Sequence, residues 1–211
     1  MIRYVPADAL SCRPKLSDSM FRDRAKQFHE RLGWDVSVDG RGHERDSYDD
    51  ARPLYVIWEN PNGTHGGSMR FLPTTGRTMA REHFSHLQSG ADICNPQIWE
   101  CTRFCLAPNA ESRVAAALML AGGELMRAFD LTHLLGVFDA RMVRIYRMIG
   151  SAPEILGSAG EGAKKISLGL WAFDHGDRER VLWRSGLSSA LSEHWFARSF
   201  GHRLNQIPSC A

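Results

Sequence analysis

No stretch of this chain approaches the run of about 18 apolar residues that a bilayer-spanning helix requires. Met1 to Lys15 also lacks a continuous apolar segment followed by a small-residue cleavage site. Neither membrane insertion nor a secretory signal is expected. Net charge is scarce too: 26 basic against 24 acidic side chains leave a formal +2, too little to indicate nucleic acid as a partner. Cysteine is sparse and odd in number, five in 211 residues, with no Cys-x-x-Cys pair. That argues against a disulfide framework. Cys94, Cys101, Cys105, His83 and His86 do not have the spacing of zinc ligands, so no metal is expected. Reduced thiols in the cytoplasm are the expectation. Glycine loops of the Walker or dinucleotide type are missing, and so is a Gly-x-Ser-x-Gly elbow.

What is present is an ordinary globular composition, 43% apolar, enough for one core and a single domain over 1–211. Phe21, Ala25, Phe28 and Leu32 recur at helical spacing and predict a helix over 18–32. Ser17 or Asp18 can cap it, and Gly33 can end it. A short strand is expected at Trp34 to Val38, followed by a polar loop over Gly40 to Arg52. Strands at 54–59 and 68–72 flank the turn residues Asn60-Pro61-Asn62-Gly63 and predict a hairpin. A short helix is expected around Arg81 to Leu87, then a strand at 98–106. A helix over 110–129 capped by Asn109, a strand at 131–138 and a helix at 140–149 between Asp139 and Gly150 come next. A strand at 165–173 and a helical tail from 177 to 200, broken at Gly186, complete the reading. Strands alternate with helices in the second half, which predicts a three-layer α-β-α sandwich around a mixed sheet.

Several polar residues sit where apolar ones would be simpler. Arg24 and Phe28 are neighbours on the first helix, with Trp34 shortly after. Asp46 and Asp49 flank Tyr48 in the polar loop. Arg70 lies in an otherwise small and apolar strand. Glu100 and Arg103 lie in the apolar run from Ile98 to Phe104, where buried charges must be paired or functional. Strand alternation points those two to opposite faces. A β-bulge between them would bring them to one side, so an irregularity is expected there.

In order and approximate spacing, Arg24, Phe28, Trp34, Asp46, Asp49, Arg70, Phe84, Glu100 and Arg103 together resemble the acyl-homoserine-lactone synthase family, the LuxI-type autoinducer synthases. The similarity continues through Met142 to Gly150 and fades after about residue 160. The resemblance implies a fold like the GNAT N-acetyltransferases. It also implies acyl transfer to the amine of S-adenosylmethionine, a consumed substrate rather than a cofactor, followed by lactone closure with loss of methylthioadenosine. Glu100 would be the base, with Arg103, Asp46, Asp49 and Arg70 in the catalytic set. Arg24, Phe28, Trp34, Phe84, Thr102 and Phe104 would bind substrate, and backbone N–H groups near Thr102 to Phe104 would serve the oxyanion. Met79, Leu118, Leu125, Met126, Gly136 and Phe138 are available to line an acyl tunnel. Gly136 stands where family members that take 3-oxo chains tend to carry Thr, which speaks against that preference, although Thr132 is nearby. The donor would be acyl-carrier protein or acyl-CoA. Arg141, Arg144, Arg147, Lys164 and Lys165 could form a basic patch for an acidic carrier. Two rivals are a GNAT-like acyltransferase acting on another amine and a non-catalytic signal-binding module. Against the first, Leu106 to Glu111 is not a glycine-rich pyrophosphate loop; against the second, no basic helix-turn-helix is evident.

Overall fold

The computed structural model describes residues 1–88 and 92–201; Cys210 lies outside them. Seven strands form one sheet in the order β1-β2-β3-β4-β5-β7-β6. The strands are β1 (Ile2–Pro6), β2 (Leu54–Glu59), β3 (His65–Pro73), β4 (Ile98–Leu106), β5 (His133–Asp139), β6 (Glu154–Ala159) and β7 (Ile166–Ala172). The helices are α1 (Pro14–Arg24), α2 (Met79–His83), α3 (Val114–Ala128), α4 (Ala140–Ile149), α5 (His175–Ser185) and α6 (Ser189–Phe200). None of the described helices is long and apolar enough to cross a membrane.

Strand alternation builds the layers. Tyr55 and Ile57 of β2 face one way and pack with Leu16, Met20 and Phe21 of α1. Val56 and Trp58 face the other way, into the main core with Leu118 and Leu125 of α3 and Phe196 and Phe200 of α6. Helices thus cover both faces of a mixed sheet, as the pattern predicts.

The differences have local causes. The first helix begins earlier than expected because Pro14 starts it, where a missing N–H costs nothing. It then widens into a π-helical turn, Ala25–Arg31, before Gly33 takes φ +63°. No strand forms at Trp34 to Val38; Val38 makes a lone bridge to Glu44. The hairpin connection is shorter than read, because β3 starts at His65. Helix α2 begins at Met79, capped by Thr78. Helix α3 begins at Val114 without a side-chain cap, so Asn109 does not cap it. Strands β1 and β6 go unforeseen: β1 is short, and β6 carries Gly157 in place of an apolar alternation. A Cβ at Gly157 would stand 2.1 Å from the Leu87 carbonyl oxygen, so glycine is what permits that approach.

One junction positions the site. Strands β4 and β5 are the parallel pair, and they pair only at Ile98, Trp99 and Glu100 with His133, Leu134 and Leu135. Beyond Glu100 and Leu135 the two strands part and leave a wedge in the sheet.

Candidate active site

Three arginines and three carboxylates meet on the α1 face. Arg24 donates to both oxygens of Asp49 at 2.9 and 3.0 Å and to Glu44 at 2.6 Å. Arg70 donates to Asp46, to Asp49 at 2.9 Å and to the Thr102 hydroxyl at 3.0 Å. Arg103 completes the set with Glu44 at 2.8 Å and Asp46 at 2.7 Å. Three positive and three negative charges cancel, so Arg24, Arg70 and Glu44 can be at most 1% exposed without leaving a buried charge unmatched. The loop that carries the carboxylates is fixed locally. Asp46 accepts from the Tyr48 N–H, and Asp49 accepts from the Asp46 N–H. The Tyr48 hydroxyl ties the loop to Glu82 at 2.7 Å.

Charge matching governs ionisation here. Burial opposes the charge on Asp49, but Arg24 and then Arg70 outweigh it and hold the carboxyl well below the usual range. Burial likewise opposes the Arg24 charge, and Asp49 and Glu44 override it. Glu100 is different. Its carboxylate accepts backbone N–H bonds from Met79 at 2.9 Å and Ala80 at 2.6 Å, at the start of α2. Burial raises its pKa, and those two bonds only partly offset the shift.

The expected irregularity lies one step further along β4. Ser68 pairs with Cys105 and Arg70 with Thr102, so β4 spends three steps where β3 spends two. Arg103 takes up the extra residue at φ +52°, a left-handed conformation uncommon outside glycine. Glu100 and Arg103 consequently line one cleft, with Phe28, Trp34, Met79 and Phe84. Phe28 and Trp34 stack at 5.1 Å, and the Arg103 guanidinium lies 5.3 Å from the Phe28 ring centre. On the α3 face lies a second cavity, walled by Met69, Met119, Met126, Leu134 and Trp171. The two share Thr102, Arg103, Phe104, Val137, Phe138 and Tyr146, so they meet at the wedge.

The autoinducer synthase family matches residues 9–181. An acyl-homoserine-lactone synthase of Rhizobium etli is 40% identical over 92% of this chain and 93% of its own length. This chain belongs to the autoinducer synthase family. It is an acyltransferase of quorum-sensing signal synthesis. A CoA-dependent acyl-homoserine lactone synthase, BjaI, solved with SAM and isopentyl-CoA, superposes with a TM-score of 0.78 at 22% identity, covering 90% of each chain. A protein of Lactobacillus plantarum assigned to the N-acetyltransferases superposes at 0.54 and 15% identity, covering 82% of this chain and 99% of its own; it has the same GNAT-like fold.

Within this synthase the residues singled out from sequence divide into two groups. Arg24, Asp49 and Arg70 are buried supports that line neither cavity, whereas Arg103 lines both. Asp46 and Glu44 face the outer part of the polar cleft, beside Trp34 and Phe84. Thr102 and Phe104 stand at the meeting point. Met126, Gly136 and Phe138 line the apolar cavity. Met79 lines the polar cleft instead. Leu118 and Leu125 line neither, because both are fully buried in the main core. Glu44 and Tyr55 escaped the sequence reading. With Glu100 counted, the three arginines already had three carboxylates, so charge counting gave no signal for Glu44; its place is open only because Glu100 accepts from the Met79 and Ala80 N–H groups instead. Tyr55 donates to Asp49 at 2.7 Å. Arg141, Arg144 and Arg147 are exposed on α4. Exposed Lys165 is beside them, its carbonyl accepting from the Ala140 N–H at 2.9 Å. Burial pushes the Cys101 thiol up to about 12 and the Cys105 thiol higher, so both are protonated at neutral pH.

Proposed function

We propose that this synthase acylates the amine of S-adenosylmethionine with an acyl group delivered as a phosphopantetheine thioester, on acyl-carrier protein or coenzyme A. Lactone closure then gives an N-acyl-homoserine lactone and methylthioadenosine. The observation that carries this reading is the meeting of the polar and apolar cavities at Thr102 to Phe104. A small charged substrate in one cavity and an acyl chain in the other would bring amine and thioester carbonyl together at the wedge. Trp34 is exposed and offers its free face to the sulfonium or the adenine, backed by Phe28. Asp46 and Arg103, already paired, offer one charge of each sign to a substrate that carries both. Glu100 takes the proton from the amine, and its raised pKa suits it to that transfer. The amine attacks the thioester carbonyl and the thiol leaves. Backbone N–H groups of the bulged segment Thr102 to Phe104 serve the oxyanion. The methionine carboxylate then displaces methylthioadenosine and closes the ring. The basic surface of α4 suits an acidic carrier protein. The cytoplasm is the proposed site of action, consistent with the free thiols of Cys12, Cys94, Cys101 and Cys105.

Mass spectrometry of the purified protein with S-adenosylmethionine and a panel of acyl-carrier and acyl-CoA thioesters tests the reaction. Acyl-homoserine lactone and methylthioadenosine should appear in equal amounts. Acyl transfer without methylthioadenosine would point to a general N-acyltransferase. Glu100→Gln should lower turnover by roughly 100-fold or more while S-adenosylmethionine binding changes little. Undiminished turnover in that variant removes Glu100 from the role of base.

A further inference from the structure

The apolar cavity does not stay apolar along its length. It starts at the wedge, beside Gly136 to Phe138 of β5. The register of β5 with β7 places Ala172 opposite His133, at the other end of β5. Asp174, Asp177 and Arg178 come after Ala172 in the chain and line the same cavity. A chain entering at the wedge therefore runs past Met119, Met126 and Trp171 toward a charged end.

Arg178 at that end has an unused donor. Its Nη2 is engaged by Glu124 at 2.8 Å and Ser189 at 2.9 Å. Its Nε is buried and has no hydrogen-bond partner, the single such side-chain atom among the described residues. Buried donors are almost always paired, and a lone donor on a residue that lines a cavity can find its acceptor in what the cavity takes up. Gly122 and Gly123 of α3 also line the cavity. A helix interior loses stability at each glycine, and here the pair leaves that stretch of wall without side chains. The charges of Arg178 and Arg127 are already matched by Glu124 and Glu193. A carboxylate at the chain end would also meet Asp174 and Asp177. A neutral oxygen, hydroxyl or carbonyl, avoids that repulsion and still accepts from Nε.

We infer that this synthase prefers acyl donors carrying a neutral oxygen near the far end of the chain, held by Arg178 Nε. The inference rests on the reading of this cavity as the acyl site. The test uses matched acyl donors, each with and without a hydroxyl on the terminal carbon, over short, medium and long chains. The readout is the ratio of kcat/KM within each pair, from which any general change in activity cancels. At the length that reaches Arg178, the hydroxylated donor should be favoured by roughly ten-fold, the value of a hydrogen bond to a charged group. Arg178→Lys keeps a cation for Glu124 but has no Nε–H, and its ratio should fall to about one. Lactone from the donors with no wild-type ratio above one at any length overturns the inference and leaves the synthase reading intact. A preference that survives Arg178→Lys overturns the assignment to Nε. If the variant does not fold, the wild-type ratios decide. No lactone from any donor overturns the synthase reading and this inference with it.

Discussion

Arg24 and Trp171 lie on opposite faces of one sheet and are held in unlike ways. Arg24 is fixed by three charge-assisted bonds whose directions leave it one position. Trp171 is fixed by shape, edge-on to Tyr146 at 4.9 Å and to Phe138 at 5.5 Å. The polar face tolerates burial because its charges are counted and matched. The apolar face tolerates it because its volumes fit. Directional matching permits little change, whereas a packed cavity can be cut to a new shape. On the proposed reading, a signal synthase can therefore keep one substrate constant on the first face and vary the acyl chain on the second.

The largest effect should come from breaking the matched face. Arg24→Ala leaves Glu44 and Asp49 short of a partner and should cost about 3–5 kcal/mol, read as a fall in the urea midpoint. A loss below about 1 kcal/mol, the range of surface pairs, would mean the network is not closed. The same face should weaken in acid. The Asp49 carboxyl is depressed when folded, so its contribution is complete above the unfolded value of about 4. It is lost as pH falls through the folded value. The gap in midpoint between wild type and Asp49→Asn should accordingly narrow below about pH 4; a constant gap contradicts the assignment. Glu100 has the opposite sign. Its raised folded pKa means that ionisation costs stability as pH rises from about 4 through that value. The ionised form that the proposed role as base requires accumulates over the same interval.

A smaller effect is expected on the apolar face. A Cβ at Gly136 would stand 3.1 Å from the Trp171 ring and 3.3 Å from the Cys101 carbonyl oxygen. Gly136→Thr should cost about 1–3 kcal/mol by overpacking and should depress turnover of long chains more than short ones. Equal loss at every length would place Gly136 outside the acyl path. The smallest change is at a helix end. Asp139 caps α4 through the Arg141 and Met142 N–H groups, and Asp139→Ala should lower stability by about 1 kcal/mol, checked by thermal melting.

Elements with terminal signals were legible in the sequence. Helix α4, between Asp139 and Gly150, and the break at Gly186 are explained by cap chemistry and left-handed glycines. The hairpin strands and the three-layer arrangement are explained by alternation. The charged site residues were legible one by one, because each is a polar group where an apolar one would be simpler. Their pairing was not, since it depends on how a loop over 40–52 lies against two strands distant in sequence. Edge strands were hidden for a related reason: β6 has little apolar alternation and owes its place to pairing with β7. The lining of the apolar cavity was least legible, because Leu118 and Met126 are alike in sequence yet one is core and the other cavity wall.

The π-helical turn at Ala25–Arg31 can also be considered as a matter of insertions and deletions. The Leu32 N–H reaches the Gln27 carbonyl five residues back, where an α-helix would reach four. The turn thus holds one residue more than a regular helix of the same rise, an insertion absorbed inside a helix rather than in a loop. Removing one residue there would let the helix close regularly and would turn the residues inside it, Phe28 among them, about the axis while the chain beyond keeps its bearing. Phe28 and Trp34 stack across that turn, so the surplus residue sets the bearing of the aromatic wall, and its deletion would blunt the cleft without touching any charge.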